Sequence, residues 1–341
     1  MTRRLPAEWE TQDGVLLAWP HAESDWLPLL AAVEPVYTEI VRQVSRFERV
    51  LLVAPDRRRV SEMLRQAGAA MERVAIFEIP TNDTWARDFG PLTVYEGERP
   101  VLLDFGFNGW GLKFAACLDN QVTSQLAEAG AFRELAIETP GLILEGGSIE
   151  SDGRGTLLTT SQCLLNRNRN PHLDRRQLEE KLASLLGADH FLWLEHGYLA
   201  GDDTDSHIDT LARLTPDDTI LYVACDDPAD EHYGPLACMR VELELLRSRE
   251  GKPFRLIPLP WPAPRFDTEG GRLPATYANY LVLNQAVLVP TYDDPHDPAA
   301  LAAVGQAFPE HAIIGIDCLP LIEQHGSLHC VTMQLPKGVL P

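Results

Sequence analysis

Side chains that could do chemistry concentrate in four polar clusters of this chain. One cluster carries a thiol, another carries an imidazole among carboxylates, and the other two carry carboxylates beside aromatic residues or glycines. A thiol, an imidazole and several carboxylates can either bind a metal ion or perform nucleophilic catalysis. The four clusters are residues 81–91, 144–150, 201–210 and 326–334.

The most acidic cluster does not have the pattern of a metal site. It offers carboxylates and one imidazole, but a calcium loop of this kind also needs a turn glycine and a distal glutamate, which are not in place. The H-E-x-x-H pattern of zinc hydrolases and the glycine motifs of nucleotide-binding folds are absent from the sequence. Metal-dependent hydrolysis is therefore disfavoured as an alternative, and neither a dinucleotide site nor a P-loop is predicted. The potential ligands considered are Asp202, Asp203, Asp205, His207 and Asp209.

Nucleophilic catalysis fits the clusters if the substrate is a cation. Carboxylates around Cys330 would raise the pKa of its thiol and weaken it as a nucleophile. A guanidinium substrate removes this conflict, because two carboxylates can hold its planar donors while the thiolate attacks its central carbon. His207 and Asp209 are two residues apart, which in a strand places both on one face. The other candidate carboxylates are Asp88 and Glu145, and Glu145 precedes two glycines where the backbone can turn sharply.

The overall charge agrees with a cationic ligand without requiring one. The 341 residues include 50 Asp and Glu against 29 Lys and Arg, which gives a formal charge of −21. Such a polyanion disfavours nucleic acid and anionic membrane surfaces as partners. The six cysteines form no C-x-x-C pair, and residues 1–10 lack the apolar stretch of a secretory signal. We therefore predict a cytoplasmic protein with reduced thiols.

The candidate residues recur at a regular interval. Asp88 and Glu145 are 57 residues apart, and Glu145 and His207 are 62 apart. The next interval, from His207 to Cys330, is 123 residues and close to twice 62. This spacing predicts five similar strand–helix units around a common centre. A fifth polar position is expected midway in the long interval, where Asn279 interrupts an apolar stretch.

Strand and helix patterns alternate along the chain and indicate an α/β fold. Short apolar runs predict strands, and stretches with one apolar face predict helices between them. The proline- and glycine-rich stretch 258–271 is typical of a loop, so we predict one catalytic domain spanning residues 1–341. The predicted strands are 14–19, 50–54, 74–79, 156–160, 191–194, 286–290, 313–316 and 327–334, and the predicted helices are 33–47, 60–71, 178–186 and one beginning at Asp297.

Seven motifs give the sequence a resemblance to a known family. They cover nearly the whole chain in order, at residues 8–14 (EWETQDG), 83–91 (DTWARDFGP), 145–148 (EGGS), 163–171 (CLLNRNRNP), 203–210 (DTDSHIDT), 277–284 (YANYLVLN) and 327–334 (SLHCVTMQ). With them the sequence resembles the agmatine deiminase and bacterial peptidyl-arginine deiminase-like family of guanidine-modifying enzymes. The resemblance implies the pentein fold, a five-bladed pseudo-symmetric α/β propeller of ββαβ units, which agrees with the regular interval.

The resemblance also implies a role for each candidate residue. Cys330 would attack the guanidinium carbon, while Asp88 and Asp209 would bind the guanidinium nitrogens. His207 would protonate the departing ammonia and then activate water, and Glu145 would support either His207 or the guanidinium group. These are covalent and general acid–base roles that suit the residue types. The implied reaction is hydrolysis of agmatine to N-carbamoylputrescine and ammonia, without a cofactor.

Several alternatives stay open on the sequence alone. Departures from the family pattern leave arginine and peptidyl-arginine open as substrates, and an inactive protein that binds guanidines or polyamines is an alternative of another class. Trp85 would pack on the substrate or else belong to the core. Glu8 and Asp13 could meet the amine end of the substrate, but their spacing selects neither. The oligomeric state is also open, with a homodimer as one option. The departures are at Phe89, Ser206 and Thr210.

Overall fold

The chain forms five small β-sheets, and in each sheet a helix connects two of the strands. The computed structural model describes residues 3–341. The strands are β1 Arg3–Arg4, β2 Gln12–Ala18, β3 Arg49–Val53, β4 Val74–Phe77, β5 Leu92–Glu96, β6 Arg99–Leu103, β7 Ala136–Glu138, β8 Ile149–Ser151, β9 Thr156–Thr160, β10 His190–Leu194, β11 Ala212–Thr215, β12 Thr219–Val223, β13 Arg255–Leu259, β14 Leu281–Val282, β15 Ala286–Thr291, β16 Ala312–Asp317 and β17 Thr332–Pro336. The helices are α1 Leu30–Phe47, α2 Arg57–Gln66, α3 Ala86–Phe89, α4 Gly109–Leu112, α5 Val122–Glu128, α6 Ser161–Leu164, α7 Arg175–Leu186, α8 Tyr233–Leu245, α9 Asp297–Ala307 and α10 Leu319–Ile322.

The same ββαβ connection recurs in all five sheets. In each, two strands pair antiparallel, a helix follows, and the next strand returns parallel to the second. The predicted five-bladed α/β propeller is therefore confirmed. The strand orders are β17-β2-β3-β4, β1-β5-β6-β7, β10-β9-β8, β11-β12-β13 and β14-β15-β16, with α1, α5, α7, α8 and α9 as the respective connecting helices.

One blade joins the last strand of the chain, β17, to β2 from near its start. β17 pairs antiparallel with β2, with Thr332 opposite Leu17 and Gln334 opposite Val15. The β2 residues 15–18 are completely buried, so this pairing covers apolar surface as well as satisfying backbone hydrogen bonds. The ring is thus closed by strands from opposite ends of the described sequence.

Local sequence signals explain where the connecting helices begin and end. α7 begins with a capping box, in which the side chains of Asp174 and Gln177 each accept the backbone N–H of the other. It ends at Gly187 in a left-handed conformation with φ of 72°, and a Cβ there would lie 1.8 Å from the carbonyl oxygen of Arg3. Glycine is therefore required at this position by both conformation and space.

Most predicted elements are present, and one is wrong. The strands predicted before residue 320 lie within two residues of the observed bounds, and α1, α2, α7 and α9 are all present. α8 went unpredicted because its apolar residues do not form one clear face: Val241 and Leu245 are more than half exposed. The wrong prediction is the strand at 327–334, since residues 327–331 form turns and only Thr332–Pro336 is a strand.

Within residues 3–341, no helix is both long and apolar enough to cross a membrane. The assignment of residues 1–341 to one domain and the cytoplasmic location stay predictions.

Candidate active site

Cys330 lies in a turn immediately before β17. The predicted strand is absent there because a side chain, and not a neighbouring strand, holds the backbone. Oδ1 of Asn279 accepts the N–H groups of His329 (2.8 Å) and Cys330 (3.2 Å). Asn279 is fully buried, so the polar position expected in the long interval does reach this region. Cys330 is 5% exposed and lines the cavity described below.

His207 and Asp209 come together through a tight turn. A strand would have placed the two side chains on one face, but Ile208–Thr210 instead form a 3-10 turn directly after His207. Oγ1 of Thr210 donates to the carbonyl oxygen of His207 at 2.8 Å and fixes this turn. Both predicted side chains are buried, and Oδ2 of Asp209 lies 4.0 Å from Sγ of Cys330. The structure thus places the carboxylate and the thiol side by side.

Asp88 belongs to the one-turn helix α3 and accepts two hydrogen bonds. Its Oδ1 accepts the backbone N–H of Gly147 at 3.0 Å, and its Oδ2 accepts the indole Nε1–H of Trp110 at 2.9 Å. Trp110 has a left-handed backbone with φ of 53°, which is costly for a residue other than glycine. Trp110 lies outside the motifs that carry the family resemblance, so sequence reasoning missed it.

Gly147 lies between three of these polar side chains. A Cβ atom at this position would be 2.7 Å from Nδ1 of His207 and 3.0 Å from Oδ2 of Asp209 and Oδ1 of Asp88. The same Oδ1 of Asp88 is 3.6 Å from Nδ1 of His207. The predicted glycine turn is present as the 3-10 turn Gly146–Ser148. The absence of a side chain at Gly147 therefore allows the imidazole and both carboxylates to converge.

Glu145 is held by a buried ion pair. Nε of Arg169 lies 2.9 Å from both carboxylate oxygens of Glu145, and neither side chain is exposed. The same guanidinium contacts Oδ2 of Asp205 at 2.8 Å and the carbonyl oxygen of Thr204 at 2.9 Å. Arg169 belongs to the family motif at residues 163–171, but the sequence alone gives it no chemical role. The structure instead shows that Arg169 neutralises Glu145 and ties it to the loop before the candidate imidazole.

Burial and neighbouring charges shift the pKa values of the central groups. Burial raises the pKa of Asp88 to about 6, in spite of the nearby imidazole of His207. Burial alone would lower the pKa of His207, but the carboxylate of Asp88 and the thiol of Cys163 raise it to about 10. Burial and the carboxylates of Asp209 and Asp88 raise the pKa of the Cys330 thiol well above its ordinary value. At neutral pH the free protein therefore holds a protonated His207 imidazole and a neutral Cys330 thiol.

A cavity of about 190 Å³ leads to Cys330 and Asp88. Trp85 forms part of its wall and also packs on Trp26, with ring centroids 5.7 Å apart. The two positions expected for Trp85, facing the cavity and in the core, are thus both occupied by the same side chain. His207, Asp209 and Glu145 are buried and are not among the residues that line the cavity. The other lining residues are Asp25, Asp83, Trp110, Phe114, Asp202, Asp203, Thr204, Thr210, Gln324, His325 and Gly326.

Glu8 and Asp13, the two acidic residues suggested for the amine end of the substrate, lie away from the cavity. Glu8 is buried against Arg213, with 2.7 Å between its Oε2 and Nη2. Asp13 pairs with Arg49 and accepts the backbone N–H of Gly338 at 2.8 Å. Neither residue lines the cavity. The suggestion that one of them meets the amine end of the substrate is therefore wrong.

Within residues 3–341, two buried clusters have donor atoms close enough to hold a metal ion. Glu145, Cys163 and His207 form one, and in each cluster the donor atoms lie within 4.8 Å of one another. In both clusters, however, a guanidinium group already binds carboxylate oxygens and supplies the positive charge that a metal would bring. These donor sets therefore do not fit a resident metal. The second cluster is Glu8, Glu150 and His329.

The family of the chain is decided by comparison with known proteins. The family model of Porphyromonas-type peptidyl-arginine deiminase matches residues 4–336. The chain belongs to this peptidyl-arginine deiminase family. The match spans all seven motifs, including those that carry the thiol, the imidazole and the candidate carboxylates.

Individual relatives agree with the family assignment over almost the whole chain. Agmatine deiminase from Pseudomonas fluorescens is 32% identical over 358 residues, covering 97% of this chain and 95% of the relative. One solved structure is a C. jejuni agmatine deiminase with a cysteine-to-serine substitution and substrate bound. It is 43% identical to this chain with a TM-score of 0.91, and the match covers 99% of this chain and 97% of that chain. A solved structure from Porphyromonas gingivalis is 48% identical with a TM-score of 0.95, covering 99% and 100%.

Proposed function

We propose that this chain is an agmatine deiminase, which hydrolyses agmatine to N-carbamoylputrescine and ammonia through a covalent intermediate on Cys330. The charge of the cavity wall is the observation that carries this proposal. Apart from Cys330 and His325, every ionisable side chain that lines the cavity is an aspartate, and no lysine or arginine within residues 3–341 lines it. Such a wall suits a substrate that is positive at both ends and carries no anionic group.

The additional aspartates favour agmatine over arginine as the substrate. Four aspartates besides Asp88 line the cavity, and they can attract the primary amine of agmatine. Arginine carries a carboxylate near the same end, and like charges about 4 Å apart repel by ~4 kcal/mol near a protein surface. The cavity therefore discriminates by repulsion as well as by attraction. The four residues are Asp25, Asp83, Asp202 and Asp203.

The first step joins the guanidinium carbon to the thiolate. In the free protein the Cys330 thiol is neutral because burial and two carboxylates raise its pKa. A guanidinium group held by Asp88 and Asp209 neutralises both carboxylates and stabilises the thiolate, so the thiol proton passes to solvent. The thiolate then forms a C–S bond to the central carbon, while the electron pair of the C=N bond moves to nitrogen.

The departing amine and the incoming water both need a proton carrier. His207 is protonated at neutral pH because the carboxylate of Asp88 helps to raise its pKa to about 10. Neither of its ring nitrogens has a hydrogen-bond partner among the described residues, so its proton is available to the leaving amino group. The C–N bond breaks, ammonia departs, and a thiouronium cation remains on Cys330.

Hydrolysis then regenerates the starting state. Neutral His207 takes a proton from water as the water oxygen attacks the thiouronium carbon. The C–S bond breaks, Cys330 leaves as the thiolate, and the extra proton of the ureido product passes to solvent. When the product departs, the thiolate takes up a proton from solvent, which restores the neutral thiol and the protonated His207 of the free protein. Glu145 does not contact the substrate; its carboxylate, which is paired with Arg169, favours the protonated form of His207.

Deimination of arginine or peptidyl-arginine is the close alternative, favoured by the name of the matching family. Steady-state assays of ammonia and ureido product should give the highest kcat/KM with agmatine, followed by arginine and a blocked arginine peptide. Turnover of arginine or the peptide without turnover of agmatine would refute the proposed substrate.

A second test separates an enzyme from a binding protein. The Cys330→Ala variant should form no product but still bind agmatine by titration calorimetry. Cys225→Ala is the matched control, because Cys225 is also buried but does not line the cavity. Product formation by Cys330→Ala would remove the nucleophile from the proposal. A wild-type protein that binds agmatine without turning it over would identify a guanidine-binding protein instead.

A further inference from the structure

His329, which immediately precedes the candidate nucleophile, joins two buried carboxylates. Its Nδ1 lies 2.7 Å from Oδ2 of Asp209, and its Nε2 lies 2.7 Å from Oε2 of Glu8. The imidazole is 2% exposed and the carboxylate of Asp209 is fully buried. The distance to Asp209 is that of a charge-assisted hydrogen bond and requires a proton on Nδ1, whereas Nε2 also lies 3.1 Å from Nη2 of Arg213, which can donate to it. His329 has no part in the steps of the proposed reaction.

The two oxygens of Asp209 have different surroundings. Oδ2 accepts from His329 and lies 4.0 Å from Sγ of Cys330. Oδ1 is buried and has no hydrogen-bond partner within residues 3–341. A buried carboxylate oxygen without a donor is costly, and a guanidinium N–H would satisfy it. One oxygen is thus fixed by the protein while the other is left for the substrate.

The far side of His329 is anchored by a buried network. Oε2 of Glu8 also accepts from Nη2 of Arg213 at 2.7 Å, and Arg213 pairs with Glu150. Nη1 of Arg213 donates to the carbonyl oxygen of Tyr280 at 2.7 Å. The network therefore ties the imidazole to the backbone of another blade. A ring held at both nitrogens has little freedom to rotate, so it can define where its partner points.

The charges around His329 act in opposite directions. Burial and the guanidinium groups of Arg213 and Arg87 lower the pKa of His329, whereas Glu8 and Asp209 oppose this effect. His329 is also the main group that lowers the pKa of Asp209 against the effect of burial. The imidazole therefore helps to keep Asp209 ionised as well as oriented.

We propose that His329 is a positioning residue for Asp209: its Nδ1–H fixes one carboxylate oxygen, so that the other faces the guanidinium group of the substrate. This inference rests on the proposed function, because it assigns the guanidinium group to Asp209. It extends the site from the residues around the substrate to the histidine behind them.

Two variants separate the two hydrogen bonds of His329. The side-chain nitrogen of asparagine takes the place of Nδ1, so His329→Asn keeps a donor towards Asp209 and loses the contact with Glu8. The side-chain nitrogen of glutamine takes the place of Nε2, so His329→Gln keeps the contact with Glu8 and loses the donor towards Asp209. The two variants are equally uncharged, which makes each the control for the other.

The expected result is a clear order between the variants. His329→Gln should lose about 10- to 100-fold in kcat/KM for agmatine, which corresponds to one hydrogen bond to a charged group, whereas His329→Asn should keep most of it. The loss should appear mainly in KM, because Asp209 binds the guanidinium group before and during the reaction. Equal losses, or a greater loss in His329→Asn, would overturn the inference. A purely structural role would reduce the active fraction, and hence kcat, in both.

A measurement without substrate separates this inference from the proposed function. In the wild-type protein labelled with 15N-histidine, the signals of His329 can be assigned by their loss in His329→Asn or His329→Gln. Nδ1 should carry a proton, because it faces a carboxylate oxygen at 2.7 Å. An unprotonated Nδ1 would overturn the inference even if agmatine is turned over. A protonated Nδ1 without agmatine turnover would uphold the histidine–carboxylate contact and refute the proposed function alone.

Discussion

Replacing Gly147 by alanine would test whether the imidazole and the two carboxylates converge without spare room. The added Cβ atom would lie 2.7 Å from Nδ1 of His207 and 3.0 Å from an oxygen of Asp88 and of Asp209. Ordinary contact begins at 3.4 Å, so the imidazole has to move from 2.7 to 3.4 Å, about 0.7 Å, and each carboxylate by about 0.4 Å. Misplacement of reacting groups on this scale costs ~100-fold, so kcat/KM for agmatine should fall about 100-fold, or ~2.7 kcal/mol of transition-state stabilisation.

The assay compares Gly147→Ala with a substitution of similar crowding elsewhere. Gly315→Ala is a suitable control, because its Cβ would also meet one side-chain atom at 3.0 Å, in Thr291, away from the cavity. Overpacking destabilises by about 1–3 kcal/mol, so unfolding in urea should show both variants folded under assay conditions. If folded Gly147→Ala keeps kcat/KM within about twofold, less than ~0.5 kcal/mol, the three groups do not converge as described.

Three further predictions follow from the buried polar groups. Because burial raises the pKa of Asp88 to about 6, this carboxylate loses its charge below that pH, and kcat/KM for agmatine should fall about tenfold per pH unit below 6; a flat profile from roughly pH 4.5 to 8 would contradict it. Arg169→Met leaves the buried carboxylate of Glu145 unpaired, so the free energy of unfolding in urea should drop by about 3–5 kcal/mol. Adding Glu145→Gln to this variant should recover part of the loss, and no recovery would exclude the unpaired charge as its cause. Trp110→Phe removes the indole donor to Asp88, so kcat/KM should fall about tenfold and the acidic limb should move to higher pH, since that hydrogen bond lowers the pKa of Asp88; an unmoved limb would argue against this contact.

The sequence predicts the fold and the central residues because both repeat. The regular interval between Asp88, Glu145 and His207 reflects one loop from each of several blades, and the structure contains five such blades. Asn279, expected only from its place in the long interval, holds the backbone at Cys330. A repeat constrains every unit in the same way, so its period carries information about the whole ring.

The contacts that the sequence does not reveal are those that join different loops without a periodic signal. The segment around Cys330 has an alternating pattern typical of a strand, but the side chain of Asn279 takes the place of a neighbouring strand. Arg169 and Trp110 reach partners in other loops, at Glu145 and Asp88, and nothing in their local pattern indicates these contacts. Such pairings depend on the path of the folded backbone and become visible only with the structure.

The closure of the ring by β17 has a consequence for how the protein reaches its active form. Three blades consist only of strands close in sequence and can fold from local contacts, and a fourth adds β1, which pairs with β5, as at Arg3 and Glu96. The longest separation is in the fifth blade, where β17 must find β2 across more than 300 residues, as in the pair Thr332 and Leu17. Such long-range pairing is the slow part of folding. Cys330 lies just before this strand, so the nucleophile reaches its place only when β17 pairs with β2. A partly folded chain in which β17 is not paired with β2 is therefore inactive, because its nucleophile is not in place.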